Sequence, residues 1–395
     1  MAHPKSNATG LSQKPLLLRS YDALLLQYFC DEPYSQHTVN LYRTNAEQIS
    51  RARAMCQDRI LNSPGLAHIN ILNPDHSMNS LKNLACLLVA LGCVGKSALF
   101  AAEPSVSFRE APGQVEIVVG DHSMATYYYR DEEITRPHFA HLRAPGGVQV
   151  TRNHPPIKGK DETDHATLHP GLWLAFGDLS RADCWRNKAR VEHDGFLEKP
   201  TSAAGSGSFT VRNQYKANDG QGRICQETCR YTFMARPAGT LIVWDSEFQS
   251  AERDFVFGDQ EEMGLGIRVA TQLSVKQGGQ ITISTGEKNE KQVRGKAAAW
   301  CDYSGTIDGL HLGITLMPHP GNFRPCWYHA RDYGFVAANP FGRKALTKGE
   351  PSEVIVKKGE TFRLRYGVFV HASPSNQPVN IAEAYRDYVK ISSDR

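Results

Sequence analysis

Phe362-Arg363-Leu364-Arg365-Tyr366-Gly367-Val368-Phe369-Val370 sets Phe362, Leu364, Tyr366, Val368 and Val370 against Arg363, Arg365 and Gly367. Successive side chains of a strand point to opposite faces, so this alternation reads as a β-strand with one buried face. Outward from it the same signal recurs. Gln280 to Ser284 and Glu353 to Val356 alternate with period two, and Thr240 to Trp244 is a short apolar run. Val115 to Val119 is strand-like, and Ala125 to Arg130 contains three consecutive tyrosines. Pro145-Gly146-Gly147, Gln277-Gly278-Gly279 and Lys357-Lys358-Gly359 supply turns between such runs. Helical periodicity is scarce and clearest in the tail, Ile381 to Val389, where Ile381, Ala384, Tyr385 and Tyr388 share one face. Many short strands with scarce helices predict an all-β fold, a large antiparallel β-sandwich with few short helices. Pro200 to Ser208 (PTSAAGSGS) reads as a flexible surface loop.

The composition is that of a globular protein: 395 residues, 41% hydrophobic and 22% charged, with a formal charge of +4. Lys and Arg are interspersed with Asp and Glu, so charge predicts neither a nucleic-acid partner nor an anionic-membrane surface. The nine cysteines contain no CxxC pair, which argues against a zinc ribbon or a thioredoxin-type centre.

Met78-Asn79-Ser80-Leu81-Lys82-Asn83, the apolar run Leu84 to Val94, and the small residues up to Ala101-Ala102 followed by Glu103-Pro104 form a secretory-signal pattern. The apolar run is too short for a permanent span. The expectation is therefore a non-native or disordered extension over 1–77, a signal over 78–102, and one β-sandwich domain over 103–395. Translation is expected to start at Met78. The mature protein is expected to be exported, periplasmic or extracellular, with no stable membrane span after signal removal. Cys184, Cys225, Cys229, Cys301 and Cys326 follow the signal, an odd number, so at least one thiol stays free or pairs between chains. Cys225 and Cys229 share one side of a strand but sit too far apart along it to bond each other.

Histidine is concentrated between Arg136 and Trp173: His138, His141, His154, His165 and His169. A second group holds His319, Asn322, Trp327, His329, Arg331 and Asp332. Loops of this kind on a rigid sandwich commonly carry binding or catalysis. Three readings compete. In a carbohydrate site, Trp173, Trp185 and Trp327 offer apolar faces to sugar rings, and histidine serves as general acid or base. In a metal site, neutral imidazoles ligate. His165 and His169 are four apart, but Pro170-Gly171 breaks the helix that would align them, and no HExxH occurs. In the third, the histidines only cap turns and fill the core. Asp259 to Arg268 (DQEEMGLGIR) offers Glu261 or Glu262 as a base, or merely a solvated acidic turn.

The segments RPHFAHLRAPGGVQVTRNHPP (136–156), DHATLHPGLWLAFGD (164–178), EEMGLGIRVA (261–270) and HPGNFRPCWYHARDYGFVAANPFG (319–342) resemble, in order, a bacterial family of unknown function labelled "methane oxygenase PmoA". The usual Asp-His-Pro-His-His-Arg-Gly-Leu-Trp stretch is matched by Asp164-His165 and His169, with Ala166 in place of Pro and Pro170 in place of Arg. A membrane oxygenase subunit needs several runs of roughly 20 apolar residues, and none follows the signal. The resemblance implies a secreted supersandwich, mutarotase-like, often associated with sugar-processing proteins.

The expected function is an exported carbohydrate-active protein using acid/base chemistry on a sugar, as hydrolase, lyase or epimerase. The alternatives are a non-catalytic carbohydrate-binding protein and a metal-dependent oxidoreductase. His169 or His165 is the expected acid/base and Glu262 the opposing base. Arg152, His154, Arg268, His319, Asn322, His329 and Arg331 are expected to orient the substrate, with Trp173 and Trp327 stacking on it. The partner is a small-molecule or oligosaccharide ligand. No cofactor is expected, and a divalent metal is the admitted alternative.

Overall fold

The computed structural model describes residues 104–220, 222–375 and 377–393. The extension over 1–77 and the signal over 78–102 lie outside the described residues.

Strands β1 (Val106–Ala111), β2 (Gln114–Val119), β3 (His122–Tyr128), β4 (His138–Ala140) and β5 (Leu172–Phe176) come first. Four long strands follow: β6 (Val191–Ala203), β7 (Ser206–Lys216), β8 (Arg223–Arg236) and β9 (Gly239–Gln249). Then come β10 (Phe255–Phe257), β11 (Met263–Arg268), β12 (Gln280–Ile283) and helix α1 (Asn289–Val293). The chain continues through β13 (Cys301–Ile307), β14 (Leu310–Pro318), β15 (Trp327–Arg331), β16 (Phe335–Asn339) and α2 (Arg343–Thr347). It ends with β17 (Val354–Val356), β18 (Thr361–Pro374) and α3 (Ile381–Ser393).

One eight-stranded sheet runs β1-β2-β3-β4-β5-β11-β16-β15, and the other runs β12-β13-β14-β18-β9-β8-β7-β6. The strand pairs are antiparallel, including the small β10–β17 ladder. The fold is the expected large antiparallel β-sandwich with few short helices.

The core lies between the sheets, and its aromatic residues come from both. Phe139 of the first sheet meets Tyr231 at 5.1 Å and Trp244 at 5.6 Å between ring centroids, and Phe176 meets Phe248 at 5.6 Å. Such edge-to-face contacts add to the burial of large apolar area. The opening stretch occupies β18, between β14 and β9. Its Leu364, Tyr366, Val368 and Val370 enter this core. Its other face meets α3, where Tyr388 packs with Leu241, Val243, Met317 and Phe369. Gly367 makes that docking possible: a Cβ there would lie 2.7 Å from Tyr388 Cγ.

One expectation is overturned. Residues 200–208 are not a flexible loop but the tip of the β6–β7 hairpin, with Thr201 opposite Ser208 and Ala203 opposite Ser206. Small and polar residues suit an exposed hairpin end, and Gly205 takes the left-handed turn at φ 65°. The five described cysteines are all free and buried.

Candidate functional site

The site lies on the face of the first sheet that points away from the core. Along β11, Met263, Leu265 and Ile267 enter the core, so Gly264, Gly266 and Arg268 face outward. Register then assembles a row across the strands. Trp173 pairs with Gly266, Gly266 with Ala337, and Ala337 with His329. A neighbouring row joins Arg268, Phe335 and Arg331. The small residues matter: a Cβ on Gly266 would stand 2.7 Å from the Trp173 ring and 3.0 Å from Trp185. The two indoles thus lie down on the sheet and cluster with Ala175, Phe335 and Ala337.

The loop over 152–171 is clamped onto this face by buried arginines. Arg152 donates to the carbonyls of Glu162, Asp164, His165 and His169 at 2.6–3.2 Å. Arg136 donates to Leu168 O at 2.6 Å and to Trp185 O at 2.9 Å. Burial pulls both guanidinium groups down to about 10. Neither has a free fork for a ligand, so the role expected for Arg152, reading substrate hydroxyls, becomes that of a loop clamp.

Asp164 is the pivot. Arg268 donates to its carboxylate at 2.6 and 2.8 Å, and His165 Nδ1 donates to it at 2.7 Å. Burial works to raise the Asp164 pKa, but the Arg268 and His165 hydrogen bonds outweigh it and bring it down to about 2. His165 keeps 46% of its side chain exposed. His169 is instead buried in a stack: its ring lies 4.9 Å from His165, 5.1 Å from Trp173 and 4.5 Å from Phe335. Burial, reinforced by Arg268, drives its pKa well below the histidine range. Trp173 is fully buried, so it floors the site and has no exposed ring to stack on a sugar.

Beyond Phe335 sits a second charged group. His329 Nδ1 donates to Glu261 O at 3.1 Å, and the Glu261 carboxylate pairs with Arg294 and lies 4.0 Å from Arg331. Arg331 also holds Glu290 at 2.9 Å. The carboxylate facing His329 is therefore that of Glu261. Glu262, expected as the base, is tied to Arg186 instead. Trp327 opens the same strand and is partly exposed.

His319 and Asn322 are not brought to this site. His319 packs edge-on to Tyr388 at 5.9 Å, on the outer face of the second sheet. Asn322 Nδ2 donates to Arg365 O and its Oδ1 accepts from Arg365 N, both at 2.9 Å. These two residues tie the β14–β15 connection to β18.

His154 belongs to a third group. Its Nε2 is 3.0 Å from Asp131 Oδ2, and its ring meets His138 at 5.0 Å. His138 stands opposite Tyr128 and stacks on it at 5.3 Å. Burial, with His154 adding to it, takes the His138 pKa down to about 3. Asp131, His138 and His154 each bring one ligating atom within 4.8 Å of the other two.

A family model matches residues 114–386, from β2 into α3. The chain belongs to DUF6807, a family of unknown function. That agrees with the expected membership of a family without assigned activity. No curated protein matches the chain. Among solved structures, a galactose mutarotase-like protein from Lactobacillus casei is 11% identical with a TM-score of 0.33, over 68% of this chain and 100% of that one. A mutant heparan sulfate lyase from Pedobacter heparinus is 8% identical with a TM-score of 0.33, over 84% of this chain and 48% of that one. A galactose mutarotase related enzyme from Lactobacillus acidophilus is 8% identical with a TM-score of 0.27, over 69% and 100%.

Within the DUF6807 match, sequence reasoning passed over Asp131, Tyr333, Phe335 and Arg294. Tyr333 lies under the Arg268 guanidinium at 4.5 Å and parallel to His165 at 6.0 Å. Its position in HARDYGF, beside the second histidine group, was the available signal.

Proposed function

We propose that this chain is an exported carbohydrate-active protein performing acid/base chemistry on a sugar, with His165 as the proton-transferring group. The observation that carries the reading is the Asp164–His165 hydrogen bond of 2.7 Å on a half-exposed imidazole. A carboxylate on Nδ1–H fixes the tautomer and leaves Nε2 to exchange a proton with a ligand. Arg268 fixes the carboxylate in turn, so the imidazole is held by an ordered chain of contacts.

The surroundings suit a polyhydroxylated ring. Tyr333 and Trp327 are partly exposed aromatic residues on this face, and Arg331, Glu261 and Glu290 offer donors and acceptors beyond Phe335. Burial opposes ionisation of Glu261, but His329, Arg294 and Arg331 prevail and lower its pKa, so it stands as a carboxylate. His165 on one side of the aromatic strip and Glu261 on the other form the acid/base pair, with Glu261 taking the place expected for Glu262. Export rests on residues 78–102, read as a signal.

The test is a panel of reducing sugars and uronate-containing oligosaccharides, assayed with the full-length protein. Mutarotation is followed by polarimetry, elimination by ultraviolet absorbance and hydrolysis by reducing ends. His165→Asn is expected to lower turnover by about 100-fold or more. Binding without turnover by the wild type would convert the reading to a carbohydrate-binding protein. Neither binding nor turnover would overturn it.

A further inference from the structure

We propose that Asp131, His138 and His154 form a binding site for one divalent first-row transition metal ion, zinc being the probe of choice. Two imidazoles and a carboxylate are a donor set typical of such ions.

The argument starts from what holds each ligand. Asp131 Oδ1 accepts the backbone N–H groups of Glu133 and Ile134, both at 2.8 Å. Its Oδ2 is thereby aimed at His154. His138 Nδ1 lies 3.2 Å from Arg136 O. A proton donated there leaves Nε2 with its lone pair exposed, the tautomer a metal requires. The Tyr128 ring stacked 5.3 Å away fixes the imidazole plane. The backbone carbonyl of His154 is held by His141 Nε2 at 3.0 Å.

One unused ligand atom is the second observation. His138 is fully buried, yet its Nε2 has no protein partner. Leaving a buried polar atom unpaired is costly, and a metal bond removes that cost. The spacing also suits coordination. Ligand atoms about 2.0–2.2 Å from one tetrahedral ion stand about 3.4 Å apart, and Asp131 Oδ2 and His154 Nε2, now hydrogen-bonded to each other at 3.0 Å, need to part by only a few tenths of an ångström to admit it. The third ligand atom, on His138, lies within 4.8 Å of the other two. With three protein ligands, the ion keeps at least one position for water or substrate. The site is separate from the Asp164–His165 pair, and its test does not depend on any activity.

The experiment uses full-length protein stripped with EDTA and titrated with Zn²⁺ by calorimetry and with Co²⁺ by visible spectroscopy. One equivalent per chain is expected, with Co²⁺ ligand-field bands of a low-coordinate nitrogen and oxygen site. His138→Gln, His154→Gln and Asp131→Asn should each weaken binding at least tenfold while circular dichroism shows a retained fold. His165→Asn, which removes an exposed imidazole, should leave affinity unchanged. Should any of the three variants unfold, the same loss of Co²⁺ bands in either remaining folded variant carries the test. Failure of the wild type to bind stoichiometrically, or unchanged binding in the folded variants, overturns the proposal.

Discussion

Asp164 and Arg268 meet in a two-bonded ion pair, at 2.6 and 2.8 Å, across 104 residues of chain. Arg268 is almost wholly buried at the end of β11, whereas Asp164 remains partly exposed on the clamped loop. The asymmetry sets the consequence of breaking the pair. Asp164→Asn strands a buried guanidinium, and solvent reaching the Asp164 side softens the penalty. A loss of about 1–3 kcal/mol in unfolding free energy is expected. Denaturant unfolding of wild type and variant measures it; an unchanged midpoint would show that the pair contributes nothing to stability.

The same pair produces an acid limb. Asp164 titrates at about 2, below the ordinary 3.8. A depressed carboxylate stabilises the fold above its unfolded pKa and loses that contribution as pH falls through the folded value. The contribution of Asp164 is therefore lost between about pH 4 and pH 2. A pH series of melting temperatures should show a shallower fall in Asp164→Asn across that window.

His329 acts at higher pH. Burial, with Arg331 and Arg294, outweighs Glu261 and takes its pKa from 6.5 down to about 4. The unfolded chain then takes up a proton that the folded chain refuses, so stability declines as pH falls from about 6.5 to about 4. One such proton sets a limiting slope of about 1.4 kcal/mol per pH unit. His329→Gln should flatten the stability profile in that interval. A parallel profile for the variant would rule out this histidine as the source.

Gly266 tests the floor of the site. Its Cβ would meet Trp173 at 2.7 Å and Trp185 at 3.0 Å, and both rings are boxed in by neighbours. Gly266→Ala should destabilise the fold by about 1–3 kcal/mol and shift tryptophan fluorescence. Calorimetric melting checks the first effect, and an emission spectrum the second.

The cysteines give a chemical prediction. Burial raises the thiol pKa of Cys184 to about 12 and pushes Cys225, Cys229, Cys301 and Cys326 upward as well. Alkylation of native protein, mapped by mass spectrometry, should leave all five unmodified until denaturant is added. Rapid native labelling of any of them would contradict the buried placement.

Period two in Phe362–Val370 was enough to identify a strand with one face in a core, because alternation is a local property of the pleat. It could not say that β18 would sit between β14 and β9, since pairing depends on segments from about fifty to more than a hundred residues away. The hairpin over 200–208 was illegible for a related reason: exposed Thr, Ser and Ala carry no alternation, and the ladder with β7 makes the strand. The candidate histidines could be named from the sequence, but not sorted. Register and loop docking left His165 half exposed on Asp164, enclosed His169 among aromatic rings, joined His154 to Asp131 and sent His319 to the opposite sheet. By itself the sequence determined the all-β class and the residue types available for chemistry, because both follow from local pattern. Only the tertiary structure decided which of those residues share a site, because burial and partnership are set by contacts between segments far apart in the chain.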